Sequence, residues 1–120
     1  MKYELSQKFY FEAAHTLERA VDIEGSRRIH GHTYHAEITL AGAPDPASGM
    51  LADLGFVRSE IAKVRDLLDH RFLDEITTLG PATLENLCRF ILAELGEALP
   101  ALVKVSVERR ASGDRCCLSK

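Results

Sequence analysis

Apolar and polar positions alternate most regularly between His30 and Gly42. His32, Tyr34, Ala36, Ile38 and Leu40 fall on one side of that alternation, and Thr33, His35, Glu37 and Thr39 on the other. A period of two is the signature of a strand with one buried face. An aromatic-rich, roughly alternating run over residues 3–11, leading into Phe11-Glu12-Ala13-Ala14-His15, predicts a second strand. Residues 17–29 between them are polar and aperiodic, so the reading is an antiparallel pair joined by a loop long enough to be functional.

The period changes after the turn-rich segment Ala43–Gly49. From Asp53, a helix-start residue, Phe56, Val57, Ile61, Val64, Leu67 and Leu68 recur at helical spacing, and the pattern ends near Leu68-Asp69-His70. A second helix follows Gly80-Pro81-Ala82, with Thr83 as its N-cap and Glu85 in the positive first turn. Its stripe is Leu84, Leu87, Cys88, Ile91, Leu92 and Leu95, and Gly96 and Pro100 close it. Val103, Val105 and Val107 alternate against Lys104, Ser106 and Glu108 in a third strand, and a turn over 111–114 leads to a short last strand around Cys116–Leu118. The order ββααββ, with strands grouped apart from helices, predicts an α+β domain spanning residues 1–120, its antiparallel sheet carrying both helices on one face.

Composition narrows the function classes. A net charge of −3 with scattered Lys and Arg provides no basic field for nucleic acid. No apolar run is long enough to span a membrane, and the N-terminus lacks the charged-then-apolar layout of a signal peptide, so the expected location is cytoplasmic. Three cysteines, two of them adjacent, form neither a disulfide framework nor a metal-ligand spacing. Cys88 belongs to an apolar stripe, and Cys116 and Cys117 lack an activating neighbourhood. A metal here would depend on nitrogen ligands.

Those ligands have an address. In Ile29-His30-Gly31-His32, positions i and i+2 of a strand send two imidazoles to one side, and the intervening glycine leaves room for a close approach. His15 ends the preceding strand, beside the start of the next in an antiparallel hairpin. Three imidazoles meeting there would make a three-nitrogen site of the kind zinc uses with an open fourth position, although iron and nickel also suit imidazole. The HxH spacing taken alone leaves open a polar surface pair. For Asp69-His70, a carboxylate beside an imidazole suits proton transfer. Neighbours on a helix do not face one another, however, so the pattern itself favours a plain helix end with His70 at the dipole's negative pole.

Taken together and in order, Phe11-Glu12-Ala13-Ala14-His15, Ile29-His30-Gly31-His32-Thr33-Tyr34, Gly49-Met50-Leu51-Ala52-Asp53-Leu54, Leu68-Asp69-His70, Thr83-Leu84-Glu85-Asn86 and Val107-Glu108 resemble the 6-pyruvoyl-tetrahydropterin synthase / 6-carboxy-tetrahydropterin synthase family. The resemblance implies a tunnelling fold whose subunits join through their sheets, commonly as a hexamer of two stacked trimers. It implies Zn2+ held by His15, His30 and His32, a pterin anchored by Glu108 with Thr83 and Glu85 at the substrate, and Asp69 and His70 as a proton relay. The implied substrate is 7,8-dihydroneopterin triphosphate. The implied activity is that of a lyase of the 6-carboxy-tetrahydropterin type, as used in queuosine biosynthesis.

One position departs from the pattern. Ser26 stands four residues before His30, where the family carries its proton-abstracting cysteine. A hydroxyl is far less acidic than a thiol and needs a base beside it. The alternative reading is therefore a zinc- and pterin-binding homologue that cleaves the side chain to a hydroxymethyl pterin or does not turn over. Ala82 departs as well, standing where the family usually has proline.

Overall fold

The computed structural model describes residues 1–120. Four strands form one antiparallel sheet in the order β1-β2-β3-β4, with β1 over Tyr3–His15, β2 over His30–Gly42, β3 over Leu102–Arg109 and β4 over Asp114–Ser119. Strand β1 ends at His15 as expected, and Glu12 to His15 pair with Thr33 to His30 all the way to the hairpin mouth. The inward side of β2 is the one the alternation marks: Tyr34, Ala36, Ile38 and Leu40 are all buried. A shift of register between Thr39 and Leu40 places one extra β3 residue, Val103, opposite that step.

The segment 17–29 is not all loop. It holds a short helix, α1, over Ile23–Arg27, which turns the chain back toward β2. Its entry residue Asp22 sits in the left-handed region at φ 58, and the Asp22 carboxylate fills the space where a Cβ on Gly25 would go, at 2.4 Å. Only a glycine fits at 25 without displacing that side chain.

Helix α2 covers Leu54–Leu68 and α3 covers Leu84–Gly96. Both begin as the sequence predicts. Asp53 accepts a hydrogen bond from the Gly55 amide at 2.8 Å, and the Thr83 hydroxyl accepts one from the Asn86 amide at 3.1 Å. Each cap satisfies an amide that the helix cannot. Helix α2 packs on β1, and α3 packs on β3 and β4. Between sheet and helices lie Phe11, Tyr34, Leu68, Leu87, Ile91 and Leu95, all fully buried. Each such side chain contributes roughly 1.5–3 kcal/mol by leaving water.

The sheet's other face carries no helix. Lys8, Tyr10, His35, Glu37, Lys104, Glu108 and Arg115 alternate out on this side, which is mostly polar. The molecule is elongated, 57 × 24 × 22 Å, with a radius of gyration of 15.7 Å. A compact chain of this length would have about 13.6 Å.

Candidate metal centre

Pairing in β1–β2 sets His15 opposite His30, with His32 two residues further along the same face. The three rings stand nearly edge to face, with centroids 4.5 to 4.9 Å apart. One nitrogen from each lies within 4.8 Å of the others. Tetrahedral zinc with bonds of 2.0–2.1 Å separates its nitrogens by about 3.3 Å, so the cluster is of the right size.

Tautomers favour the same conclusion. The Nδ1 of His15 lies 2.8 Å from the Ala82 carbonyl, and that of His30 lies 2.7 Å from the Arg28 carbonyl. A carbonyl only accepts, so both Nδ1 atoms carry the proton and both Nε2 atoms present lone pairs. Metal-bound histidines are commonly oriented in this way. The Nε2 atoms of His15 and His32 face each other at 3.0 Å. Burial first, and then the neighbouring His15 and Arg109, pushes His32 down to about 4; burial also lowers His15, against the pull of the Ala82 carbonyl. Imidazoles held neutral keep their lone pairs free for a cation. The site fits a divalent metal with nitrogen preference, and Ala82 serves it through a backbone carbonyl that any residue would supply.

Two cavities meet at His32. One, of about 560 Å³, is lined by Ala13, Ala14, Gly31, His32 and His70. The small residues flanking the histidines in the sequence are what leave it open. The other, of about 220 Å³, is lined by Ser26, His30, His32 and Arg109.

Asp69 and His70 are not two consecutive helical residues. Asp69 is the C-cap of α2 with extended backbone, and His70 has left the helix at φ 58. This corrects the reading in which helical geometry holds them apart: His70 Nδ1 meets Asp69 Oδ2 at 2.8 Å. The other Asp69 oxygen accepts from the Glu12 amide at 2.9 Å, tying the pair to the edge of β1. That amide bond above all, and then His70, holds the Asp69 carboxyl below its ordinary value. The His70 ring is 77% exposed, free to reach a ligand.

Other sequence candidates lie apart. The Ser26 hydroxyl is buried, donates to the Ile23 carbonyl at 2.9 Å and accepts from the Arg19 amide at 3.2 Å, so it is spent on holding the loop. Ser26 and His70 line different cavities. Thr83 caps α3, one residue after the carbonyl that orients His15, and Glu85, two residues further on in the first turn, is exposed. Glu108 pairs with His35 on the helix-free face, away from the three imidazoles. It lines a separate cleft of about 380 Å³ there.

Two contributors escape the sequence reading. Arg109 follows Val105 and Val107 on the inward face of β3, and its guanidinium reaches Asp114 at 3.1 Å beside the histidines. A cation at an inward position of a strand was the available signal. Asp74 lies in a 3-10 turn over Leu73–Glu75 and takes both the amide and the hydroxyl of Thr16, fixing the end of β1 just past His15. Nothing in its local sequence marks that role.

An antiparallel α+β sheet with three converging imidazoles at its first hairpin mouth and an Asp–His pair nearby defines a class, the histidine-centred candidate metalloproteins. The family model described as 6-pyruvoyl tetrahydropterin synthase matches residues 4–118. The chain belongs to that family. It is 32% identical over 108 residues to the 6-carboxy-5,6,7,8-tetrahydropterin synthase of Synechocystis, covering 84% of this chain and 81% of that one. It is 31% identical over 105 residues to the dihydroneopterin monophosphate aldolase of Pyrococcus furiosus, covering 88% and 85%. The structure of Caenorhabditis elegans 6-pyruvoyl tetrahydropterin synthase superposes with a TM-score of 0.87 at 26% identity, over 100% of this chain and 96% of the other. The fold is thus the tunnelling-fold architecture that the sequence resemblance implies.

Proposed function

We propose that this protein is a zinc-dependent lyase acting on 7,8-dihydroneopterin triphosphate, of the 6-carboxy-5,6,7,8-tetrahydropterin synthase kind. The convergence of the His15, His30 and His32 nitrogens within 4.8 Å carries this reading. Bound there, Zn2+ would polarise the side-chain oxygens of the substrate and acidify the adjoining C–H and O–H groups. His70 then moves the proton at its Nε2, while Asp69 fixes the ring by accepting from Nδ1. Glu108 anchors the pterin, its carboxylate accepting from the amino-pyrimidinone edge.

Glu108 and the imidazoles lie on opposite faces of one sheet, so a substrate spanning both draws on two copies of the chain. A homo-oligomer, a hexamer of two trimers in the family's manner, supplies them. The elongated shape, the free outer edge of β4 and the helix-free face are consistent with assembly through the sheets.

One observation favours a second reading. With the Ser26 hydroxyl donating to Ile23 and accepting from Arg19, no acidic group occupies the cysteine position. Proton transfer would fall to His70 alone, and the reaction would shift toward side-chain cleavage, as the aldolase name of the Pyrococcus furiosus relative suggests, or stop at binding.

Product analysis with 7,8-dihydroneopterin triphosphate, comparing the native chain with Ser26→Cys and His70→Ala, separates the two. Carboxy-tetrahydropterin from the native chain, lost in His70→Ala, upholds the lyase. A hydroxymethyl pterin, or turnover gained only in Ser26→Cys, upholds the second reading. A protein that binds no metal sinks both.

A further inference from the structure

We propose that Arg110 is a specificity-determining residue that reads the 4-oxo group of the pterin, working as a unit with Glu108. The inference rests on Glu108 being the pterin anchor and extends that reading to a residue that the sequence motifs do not mark.

Glu108 points to the helix-free face from the end of β3, Arg110 opens the turn just past it, and both line the 380 Å³ cleft. Arg110 Nε donates to Glu108 Oε1 at 2.9 Å. That bond is the main reason the Glu108 carboxyl stays below its ordinary range, as an anion. An ionised carboxylate has about four acceptor positions. Arg110 takes one, and its two Nη groups make no hydrogen bond. Tyr10 and His35, with ring centroids 6.1 Å apart, form an aromatic wall to the same cleft.

A pterin presents three groups in a row on its pyrimidinone edge: the 2-amino N–H, the N3–H and the 4-oxo oxygen. Read in order these are donor, donor, acceptor. The Glu108–Arg110 unit offers the complement: two carboxylate oxygens to accept and, alongside them, a guanidinium N–H to donate. Glu108 by itself recognises the two donors and is indifferent to what stands at position 4. Arg110 adds the third contact and makes it charge-assisted. A 2,4-diaminopteridine puts an amino group where the oxo group stood and removes the N3 proton. Donor then meets donor and lone pair meets lone pair, and a site built for hydrogen bonds rejects such an analogue strongly.

Fluorescence titration of the full chain with pterin and with 2,4-diaminopteridine tests this. Arg110 is 59% exposed on its side chain, so its variants are expected to fold. In Arg110→Ala, pterin affinity falls roughly ten- to a hundred-fold, the scale of one charge-assisted hydrogen bond, while 2,4-diaminopteridine affinity is unchanged or rises. Arg110→Gln, which keeps an N–H donor, recovers part of the loss. An unchanged pterin-to-diaminopteridine ratio in Arg110→Ala overturns the proposal. So does tighter pterin binding in that variant, which would make Arg110 only a counter-ion competing for the carboxylate. Glu108→Ala is the control for the underlying reading: if it binds pterin as well as the native chain, Glu108 is not the anchor, whatever Arg110 does.

Discussion

The Nε2 atoms of His15 and His32, one from each strand of the first hairpin, face each other at 3.0 Å. His15 already carries its proton on Nδ1, committed to the Ala82 carbonyl, so its Nε2 offers a lone pair to this contact. Without a metal the contact is an imidazole–imidazole hydrogen bond donated by His32; with one, it is a place for a cation. The third imidazole, His30, also directs its free nitrogen there.

Metal binding should follow, and with it stability. Metal analysis of the purified chain is expected to find one zinc per subunit, and chelation to lower the melting temperature. Metal at a hundred times its dissociation constant adds about 2.7 kcal/mol, a shift on the order of 10 °C for a chain of this size. In His32→Ala the chelator-dependent shift disappears. A native protein whose melting is indifferent to both zinc and chelator would contradict this.

Acid stability should depend on Asp69. Its carboxyl is held down chiefly by the Glu12 amide and then by His70. A carboxyl whose folded pKa lies below its unfolded value of about 3.9 adds stability at pH above that value. The contribution is lost as pH falls through the folded value. Melting temperatures of Asp69→Asn and the native chain between about pH 5 and about pH 2 should therefore converge on acidification. Parallel curves would show that the carboxylate contributes nothing to folding.

Thr83 should matter to stability through its cap. Thr83→Ala leaves the Asn86 amide without its acceptor and is expected to cost about 1 kcal/mol in denaturant unfolding. Thr83→Ser should restore most of it. If the alanine variant is as stable as the native chain, the cap carries no net energy.

Tyr34 makes the opposite case. Its ring stacks on Phe11 at 5.0 Å, but its buried hydroxyl makes no well-formed hydrogen bond and has only the Arg109 guanidinium beside it; burial pushes the phenol up to about 12 against the pull of that charge. Removing an unsatisfied buried polar atom while keeping the ring relieves a desolvation cost of roughly 1–3 kcal/mol. Tyr34→Phe is therefore expected to match or exceed native stability in urea melts, and a clear loss would mean that the hydroxyl is satisfied in solution.

The sequence by itself determined the four strands, the two long helices with their Asp53 and Thr83 caps, the inward face of β2 and the histidines that meet. These are consequences of period, capping chemistry and strand alternation, which act over a few residues and are legible along the chain. Tertiary structure decided the rest. Whether Asp69 faces His70 depends on where α2 stops, and that is fixed by a bond to Glu12, 57 residues away in sequence. Whether the Ser26 hydroxyl is free depends on how α1 folds back onto Arg19. That Glu108 sits beside His35 follows from the register in which β3 pairs with β2, although its side of the strand is already marked by its alternation with Val105 and Val107. Each is a meeting of groups distant along the chain or turned by a local fold, and a linear pattern carries no signal for partners it does not place side by side.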